Sequence, residues 1–403
     1  MNDEGTPDRA ARARLPATVL LLGLTSFLTD VGTEMVFPLL PAFVAALGAS
    51  PTFFGLVEGL ADAVASLLKL AAGALVDRAP AKKPLVLVGY GLSALVRPLM
   101  ALATAPWHVL GVRLADRVGK GIRSSPRDVL LASAVPASES GRAFGFHRAM
   151  DHAGAVVGPL VAAGLLASGL SVRSVFLCAL VPGALSVVAV LALRERASPG
   201  GESAPQEGAL PSETAAPSAP RLPTRLRVAL GILGVFALGN SSDAFLLLRA
   251  RELGVSLASL PLLWTALHVS KLASSALGGD LSDRVPRARL IVAGWLVYSV
   301  TYLGFGLATR PWHVWGLFVV YGTYYGLTEP AEKALVKDLA PVALRGRAYG
   351  LYHFLVGIAA VPAGVLTGAL WQARGPLTAL GAGAALAAVS AVAMMAWERG
   401  RPR

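Results

Sequence analysis

Ionisable residues interrupt the apolar stretches of this chain at spacings that place them on shared helical faces. Asp30 and Glu34 are four residues apart, and so are Glu58 and Asp62. Residues four apart in a helix lie on one side of it. Carboxylates placed in this way can bind and release protons, and arginines nearby can pair with them or attract an anionic solute. The candidate residues for such contacts with protons or a solute are Asp30, Glu34, Glu58, Asp62, Arg97, Arg113, Arg117, Lys120, His147, Arg148, Asp151, Asp243, His268, Tyr321 and Tyr325.

The depth of these charges in the apolar stretches indicates that they have a function or a partner. Arg117 lies eleven residues after Pro106, which is about 16 Å into a hydrocarbon layer about 30 Å thick. A lone arginine at that depth costs upward of about 2.5 kcal/mol. Such groups therefore face a wet cavity or each other, and interhelical ion pairing is the alternative for any one of them.

Asp30 is the acid that we most expect to bind and release a proton, with Glu34, Asp62 and Asp151 as substitutes. An acid that exchanges protons in this way must change its surroundings when the protein changes conformation, and the first half of the chain holds most of the acids within apolar stretches. The alternative for Asp30 is a structural ion pair with Arg97.

The composition is that of a polytopic membrane protein. Of 403 residues, 55% are hydrophobic and 15% are charged, whereas a soluble domain is about one quarter charged. The net charge of +12 is explained by basic cytoplasmic loops, so we expect a lipid bilayer and no nucleic acid as partner. The single cysteine, Cys178, excludes an internal disulfide.

Hydrophobic blocks predict twelve membrane-spanning helices in two sets of six. The first six spans are predicted near 16–46, 52–76, 84–104, 107–132, 143–168 and 172–194. The second six are predicted near 226–248, 255–279, 289–308, 312–336, 347–371 and 376–397. We therefore expect bundles at 1–196 and 225–403, joined by a Pro/Gly/Ser/Ala-rich linker at 197–224. Most Lys and Arg fall on the side that holds both termini and the linker, which predicts an inner-membrane protein with cytoplasmic ends.

The sequence contains an internal repeat, in which segments of the first half return in the second half. LATAPWHVLG at 102–111 returns as LATRPWHVWG at 307–316, and GRAFGFHR at 141–148 returns as GRAYGLYH at 346–353. Between these ends the copies differ, because Arg113 and Arg117 are matched by Phe318 and Gly322. The spacing predicts a cavity with a charged wall and an aromatic wall, suited to an amphipathic solute whose anionic group faces Arg113 and Arg117. We expect the substitution Arg113→Ala to impair the function of the protein severely and Phe318→Ala, at the matched position, to impair it mildly.

Six plus six helices, a central linker and a half-chain repeat resemble the major facilitator superfamily (MFS). That family carries G-x-x-x-D-R-x-x-x-[KR] between its second and third helices. This chain matches it once with Lys82 at the last position, and a second time up to the arginine, where Arg287 and Arg289 flank the last position. The matching residues are Gly73, Asp77 and Arg78 in the first half and Gly279, Asp283 and Arg284 in the second. The resemblance implies an all-α fold of two six-helix bundles, alternating access, and a conformational latch at these residues.

Two further family motifs bear on direction and coupling. The R-x-x-Q-G motif of helix four is matched by Arg117 to Gly121 with Lys120 in place of Gln. The exporter motif of helix five, G-x-x-x-G-P-x-x-G-G, is matched by Gly154, Gly158 and Pro159, with alanines where the last glycines belong. The resemblance therefore implies a proton-coupled exporter of small organic molecules such as drugs or metabolites, without cofactor and driven by the proton gradient.

Two other transport functions remain open, whereas enzyme chemistry is not indicated. An importer of organic anions would also use the basic cluster, and a metal-ion exporter could use the acids and histidines as ligands. The chain has no Walker A loop, H-E-x-x-H or C-x-x-C motif. We expect a monomer that binds a small-molecule substrate and no metal, and that is not an enzyme.

Overall fold

The structure is a computed structural model that describes residues 15–78, 81–136, 139–194 and 222–400. Within some helices the backbone alone is described, at 70, 72–78, 140–141, 276–280, 282–283 and 343. In these ranges the chain forms helices and no β-strand. Membrane helices satisfy every backbone hydrogen bond within one segment, which an apolar solvent requires.

The helices occupy the twelve predicted positions. Those of the first half are α1 (Ala17–Val36), α2 (Leu40–Ala46), α3 (Pro51–Arg78), α4 (Lys83–Val96), α5 (Pro106–Ser133), α6 (Ser140–Ala167), α7 (Val172–Cys178) and α8 (Leu180–Leu191). Those of the second half are α9 (Thr224–Gly239), α10 (Ala244–Glu252), α11 (Leu260–Arg284), α12 (Arg287–Leu307), α13 (Pro311–Leu339), α14 (Arg345–Arg374) and α15 (Pro376–Arg399). The pairs α1/α2, α7/α8 and α9/α10 each form one interrupted span, and a 3₁₀ segment, Arg97–Leu102, extends α4.

Nine helical segments in the described ranges are long and apolar enough to cross a membrane. Helix α5 is not one of them, because its middle turns carry several charges, among them Arg113, Asp116 and Arg117. With 28 residues it is still about 42 Å long, more than the hydrocarbon thickness of about 30 Å. Its polarity therefore reflects what it faces inside the bundle.

Glycines end four of the spans at equivalent places in the two halves. Gly48, Gly169, Gly254 and Gly375 have φ values of 85°, 89°, 90° and 85°. This left-handed conformation is costly for residues with a Cβ atom and is a common helix terminator. The first and third, and the second and fourth, are related by the same repeat that the sequence predicts.

Both halves interrupt their first span at matching positions. In the first half a 3₁₀ turn, Phe37–Leu39, separates α1 from α2, and Pro38 and Pro41 remove backbone donors there. In the second half Asn240–Asp243 separates α9 from α10. The interruption places non-helical backbone inside the membrane layer, which is tolerated only where protein or a wet cavity surrounds it.

The same helix pairs pack in each half. Helix α1 packs on α6 and α8, and its counterpart α9 packs on α14 and α15. Helix α5 packs on α3 and α4, and its counterpart α13 packs on α11 and α12. The predicted fold class, two six-helix bundles related by an internal repeat, is therefore confirmed.

The two bundles meet along two helix pairs, α3 with α14 and α6 with α11. Glycines allow the closest approach of α3 and α14, where Gly55 lies against Gly364 and Gly59 lies against Ala360. Small residues of this kind let membrane helices pack backbone to backbone. The bundles are also in contact where α2 meets α10, at the end that the charge distribution predicts to be outside.

Most of the predicted linker, 197–221, and the first predicted boundary at 196 lie outside the described residues, whereas the second boundary at 225 falls at the start of α9. Replacing residues 199–220 by an equal length of Gly and Ser should leave transport unchanged, because a coil has only to span the distance between two bundles. Transport per molecule, normalised to protein in the membrane, measures this. Reduced transport at normal membrane levels would show that the linker sequence itself has a function.

Candidate functional site

A layer of buried polar side chains crosses the first bundle between two apolar clusters. One cluster contains Val19, Leu22 and Leu131, and the other contains Val31, Met35 and Val109. The layer between them consists of Thr25, Ser26, Thr29, Ser93, Arg97, Arg113, Asp116, Arg117 and Arg123. Polar groups at this depth are stable only when they are paired or face water.

Arg97 forms an ion pair with Asp116, not with Asp30. Its Nη2 atom lies 2.9 Å from Asp116 Oδ1, and its Nη1 donates to the carbonyl oxygen of Thr29 at 3.2 Å. The pair joins the end of α4 to α5 and holds both to the backbone of α1. The alternative role of Asp30 as the partner of Arg97 is therefore not realised in this structure.

Arg113 and Glu58 form a bidentate ion pair between α5 and α3. Nε donates to Oε1 at 3.0 Å and Nη2 donates to Oε2 at 2.7 Å. Both side chains are buried. Two parallel charge-assisted hydrogen bonds fix the geometry strongly. Arg113, predicted to face an anionic group of the solute, is therefore already neutralised by the protein.

Arg123 is also held by its own bundle. Its Nη1 donates to Ser93 Oγ at 2.6 Å, and its guanidinium lies 4.4 Å from the centre of the Tyr90 ring. Arg117 differs from these three arginines. It is only 8% exposed, its Nε has no acceptor, and no hydrogen bond or ion pair joins it to a residue in the described ranges. Lys120, one turn further on, is half-buried.

The acids of α1 have different surroundings. Asp30 is half-buried and has no hydrogen bond or ion pair with a described residue, although Asp151, Lys120 and Glu34 act on it electrostatically. Glu34 reaches the second bundle, where Trp264 Nε1 donates to its Oε2 at 2.6 Å and His268 Nε2 lies 3.9 Å away. Glu34 therefore joins the bundles, while Asp30 keeps its carboxylate unpaired.

The acid of α6 is bound within the first bundle. Asp151 accepts a hydrogen bond from Ser26 of α1, and its Oδ2 lies 3.7 Å from His147 Nδ1 and 3.8 Å from an Arg148 nitrogen. His147 is buried and Arg148 is exposed. Asp62, in contrast, is exposed on α3.

The helix-five motif packs α6 against the part of α1 that carries the acids. A Cβ atom at Gly154 would lie 2.5 Å from the carbonyl oxygen of Phe27, and one at Gly158 would lie 2.5 Å from that of Val31. The next atoms in reach are the Cβ atoms of Asp30 and Glu34 themselves. Close packing at these glycines therefore fixes the acids, and Pro159 follows inside the same helix.

The second bundle presents an aromatic wall around the interruption of its first span. Asp243 accepts hydrogen bonds from Tyr321 at 2.7 Å and Tyr325 at 2.5 Å. Tyr298 and Tyr302 donate to the carbonyl oxygens of Gly239 and Ser241, which the interruption leaves without helical partners. The Lys271 ammonium lies 3.4 Å from the centre of the Tyr325 ring.

The predicted latch is mostly outside the described residues. The side chains of Gly73, Asp77, Arg78, Gly279 and Asp283 are not described, and Arg284 is exposed at the end of α11. The latch therefore stays a prediction. Within the described part of the chain, no three His, Cys, Asp or Glu side chains are grouped so that they could hold a metal ion.

Sequence reasoning did not find Trp264. This residue lies one turn before His268, and its ring lies 4.9 Å from that of Phe37 across the bundle interface. The available signal was a tryptophan on one face of a helix with a histidine four residues later.

Removing the indole donor should loosen the contact at the α2–α10 end. Trp264→Phe keeps a ring for Phe37 but removes a hydrogen bond to a carboxylate, which is worth about 1.5–3 kcal/mol. With Cys178 replaced by Ser, spin labels at Ala46→Cys and Arg251→Cys should report longer distances in the variant. Trp315→Phe, a partly exposed tryptophan of α13, is the control. Unchanged distances would show that the contact does not hold this end closed.

The sequence matches the family model of the Major Facilitator Superfamily at residues 22–361 and 228–403. The chain therefore belongs to this superfamily and is an integral membrane transporter. It is 30% identical over 388 residues to an uncharacterized MFS-type transporter of Methanocaldococcus jannaschii, covering 94% of this chain and 95% of that protein.

Two other similarities concern different properties, one the sequence and one the fold. The multi-drug resistance efflux pump PmrA of Streptococcus pneumoniae is 27% identical over 353 residues, with 84% of this chain and 86% of that protein covered. A solved structure of a bacterial homolog to the human lysosomal transporter Spinster has a TM-score of 0.71 at 16% identity, covering 96% and 95% of the two chains. The latter similarity concerns the fold alone.

Proposed function

We propose that this protein is a proton-coupled exporter of small organic molecules that works by alternating access in the cytoplasmic membrane, with both termini inside. The two bundles rock against each other, and a solute bound between them leaves as a proton enters. Asp30 carries the proton. The energy source is the proton gradient.

The unpaired carboxylate of Asp30 is the observation that supports this proposal most. Arg97 and Arg113 are engaged by Asp116 and Glu58. Lys120 and Arg123 act on Asp30 electrostatically, but neither forms an ion pair with it. An ionised carboxylate in the membrane layer without such a partner is costly. Asp30 thus lacks the arginine that compensates the negative charge of Glu58 and of Asp116, and binding a proton removes its uncompensated charge.

Packing and similarity add to this. The glycines of the exporter motif seat α6 on Asp30 and Glu34, which links the motif to the proton site by contact. The pneumococcal relative is a multi-drug resistance efflux pump by its name, and export of organic compounds is the function that we carry over.

Everted membrane vesicles provide the test. Respiration acidifies their lumen, and a pH-sensitive dye reports the gradient. A panel of organic amines, organic acids and neutral aromatic compounds is added in turn. At least one compound should dissipate the gradient in vesicles that contain the protein and not in vesicles that contain Asp30→Asn. Compounds that never dissipate the gradient but accumulate in right-side-out vesicles would indicate import, the second candidate.

A further inference from the structure

Asp243 is an acid in the membrane layer that no cationic side chain in the described part of the chain neutralises. Both carboxylate oxygens accept hydrogen bonds from tyrosine hydroxyls, and no Lys, Arg or His in the described ranges lies within ion-pair distance of it. Ionisable groups at such a position are expensive to keep and commonly mark a pathway or a ligand site. The hydroxyls satisfy the oxygens, but they leave the negative charge uncompensated.

The ring of Tyr325 lies between Asp243 and the ammonium group of Lys271. The Lys271 ammonium lies 3.4 Å from the centre of the Tyr325 ring, and the hydroxyl of that ring donates to Asp243. A cation over a ring face is attracted by the ring quadrupole, and more strongly where water is excluded. A phenol that donates to an anion is richer in electrons, so Asp243 strengthens the attraction of the ring for a cation.

This ring faces the space between the bundles. Tyr325 and Lys271 are half-buried, whereas Tyr298, Tyr302 and Tyr321 are fully buried behind them. Lys271 also acts electrostatically on Glu34 of the first bundle, so its ammonium lies toward the interface. Arg117 and Lys120 of the first bundle also act electrostatically on Glu34, so their positive charges repel a cation at the interface toward the second bundle.

We propose that Asp243 and Tyr325 form the cation subsite of the transport cavity, which takes the ammonium group of an amphipathic organic amine in place of Lys271. Lys271 carries a primary alkylammonium and thereby shows the class of ligand that the ring accepts. The inference rests on the proposed export function and names its substrate class. The proposed substrate class also agrees with proton antiport. An organic cation and a proton are both attracted to the acids of one cavity, and the positive charge of either one weakens the binding of the other.

Three probes that differ only in the head group test the subsite: 4-phenylbutylammonium, 4-phenylbutyrate and 4-phenylbutanol. Thermal unfolding of the purified protein in detergent is measured with each at equal concentration. The ammonium should raise the melting temperature, because a ligand of the folded state stabilises it. The carboxylate and the alcohol should not. Equal or larger stabilisation by the carboxylate or the alcohol overturns the proposal, as does no stabilisation by any probe.

Variants separate the subsite from general packing. Lys271→Met keeps the length of the side chain and removes its ammonium, so the affinity for 4-phenylbutylammonium should rise severalfold. Tyr325→Leu and Asp243→Asn should lower the affinity at least tenfold, while Tyr325→Phe, which keeps the ring, should lower it less than Tyr325→Leu. Asp338→Asn, at an exposed acid of α13, should bind as the parent does. Unchanged affinity in Lys271→Met shows that the lysine does not occupy the subsite and contradicts the proposal, even if another variant fails to fold.

Failure of this inference and failure of the proposed function have different signatures. If the ammonium does not bind but other compounds still dissipate the pH gradient, the cation subsite is wrong and export stands. If the ammonium binds with the expected pattern of variants but no compound moves protons, the subsite stands and proton-coupled export does not.

Discussion

Replacing Arg113 by alanine should lower the free energy of unfolding by about 3–5 kcal/mol, the usual cost of removing one member of a buried ion pair. Glu58 would be left buried with both of its guanidinium hydrogen bonds lost. Denaturant-induced unfolding of the protein in detergent measures this. It is the largest stability effect that we expect from a single charge in the first bundle.

The matched control replaces both partners at once. Arg113→Met with Glu58→Leu removes two charges and leaves side chains of similar volume, which is often neutral or even stabilising. The double variant should therefore recover most of the lost stability. If it is as unstable as Arg113→Ala, the pair does more than neutralise charge, and Arg113 has another role in the fold.

Replacing Asp30 by asparagine should abolish pH-driven transport while solute exchange continues. Asparagine is close to aspartate in shape, so the packing of α1 on α6 at Gly154 is retained. It cannot carry a proton, so solute can move down its own gradient but cannot be driven by pH. Counterflow and pH-driven accumulation, measured on the same vesicles, give the two numbers. Asp338→Asn should keep both activities. Full pH-driven transport in Asp30→Asn would exclude Asp30 as the proton carrier.

The sequence predicted the architecture because its repeat and its hydrophobic blocks are constraints that membrane insertion imposes directly. Twelve helices near the predicted positions and the equivalent helix pairs in each half follow from them. The interruption at Asn240–Asp243 was not predicted, since Gly239 and Asn240 are mild signals within an apolar run. The eighth span begins at Leu260, later than predicted, because α10 continues the seventh span to Glu252.

Side-chain partners in the site were harder to predict than the residues themselves. Spacing places Asp116 and Arg113 on faces of α5, but helix rotation and tilt decide that they meet Arg97 and Glu58. The mild effect expected for Phe318→Ala is revised for the same reason. Phe318 is fully buried and packs edge-on against Phe305 at 5.2 Å, so its truncation should cost about 3–5 kcal/mol of stability.

The most direct test of proton-coupled export measures proton movement that is driven by solute alone. Purified protein is reconstituted in liposomes with a pH-sensitive dye in the lumen and equal pH on both sides, and a compound that dissipates the gradient in vesicles is added outside. Antiport predicts that solute entry drives protons out, so the lumen becomes alkaline faster and further than in protein-free liposomes, where only passive entry of the solute can act; liposomes with Asp30→Asn should not exceed that protein-free control. Acidification of the lumen would mean symport, and solute entry without any protein-dependent pH change would mean that transport is not coupled to protons.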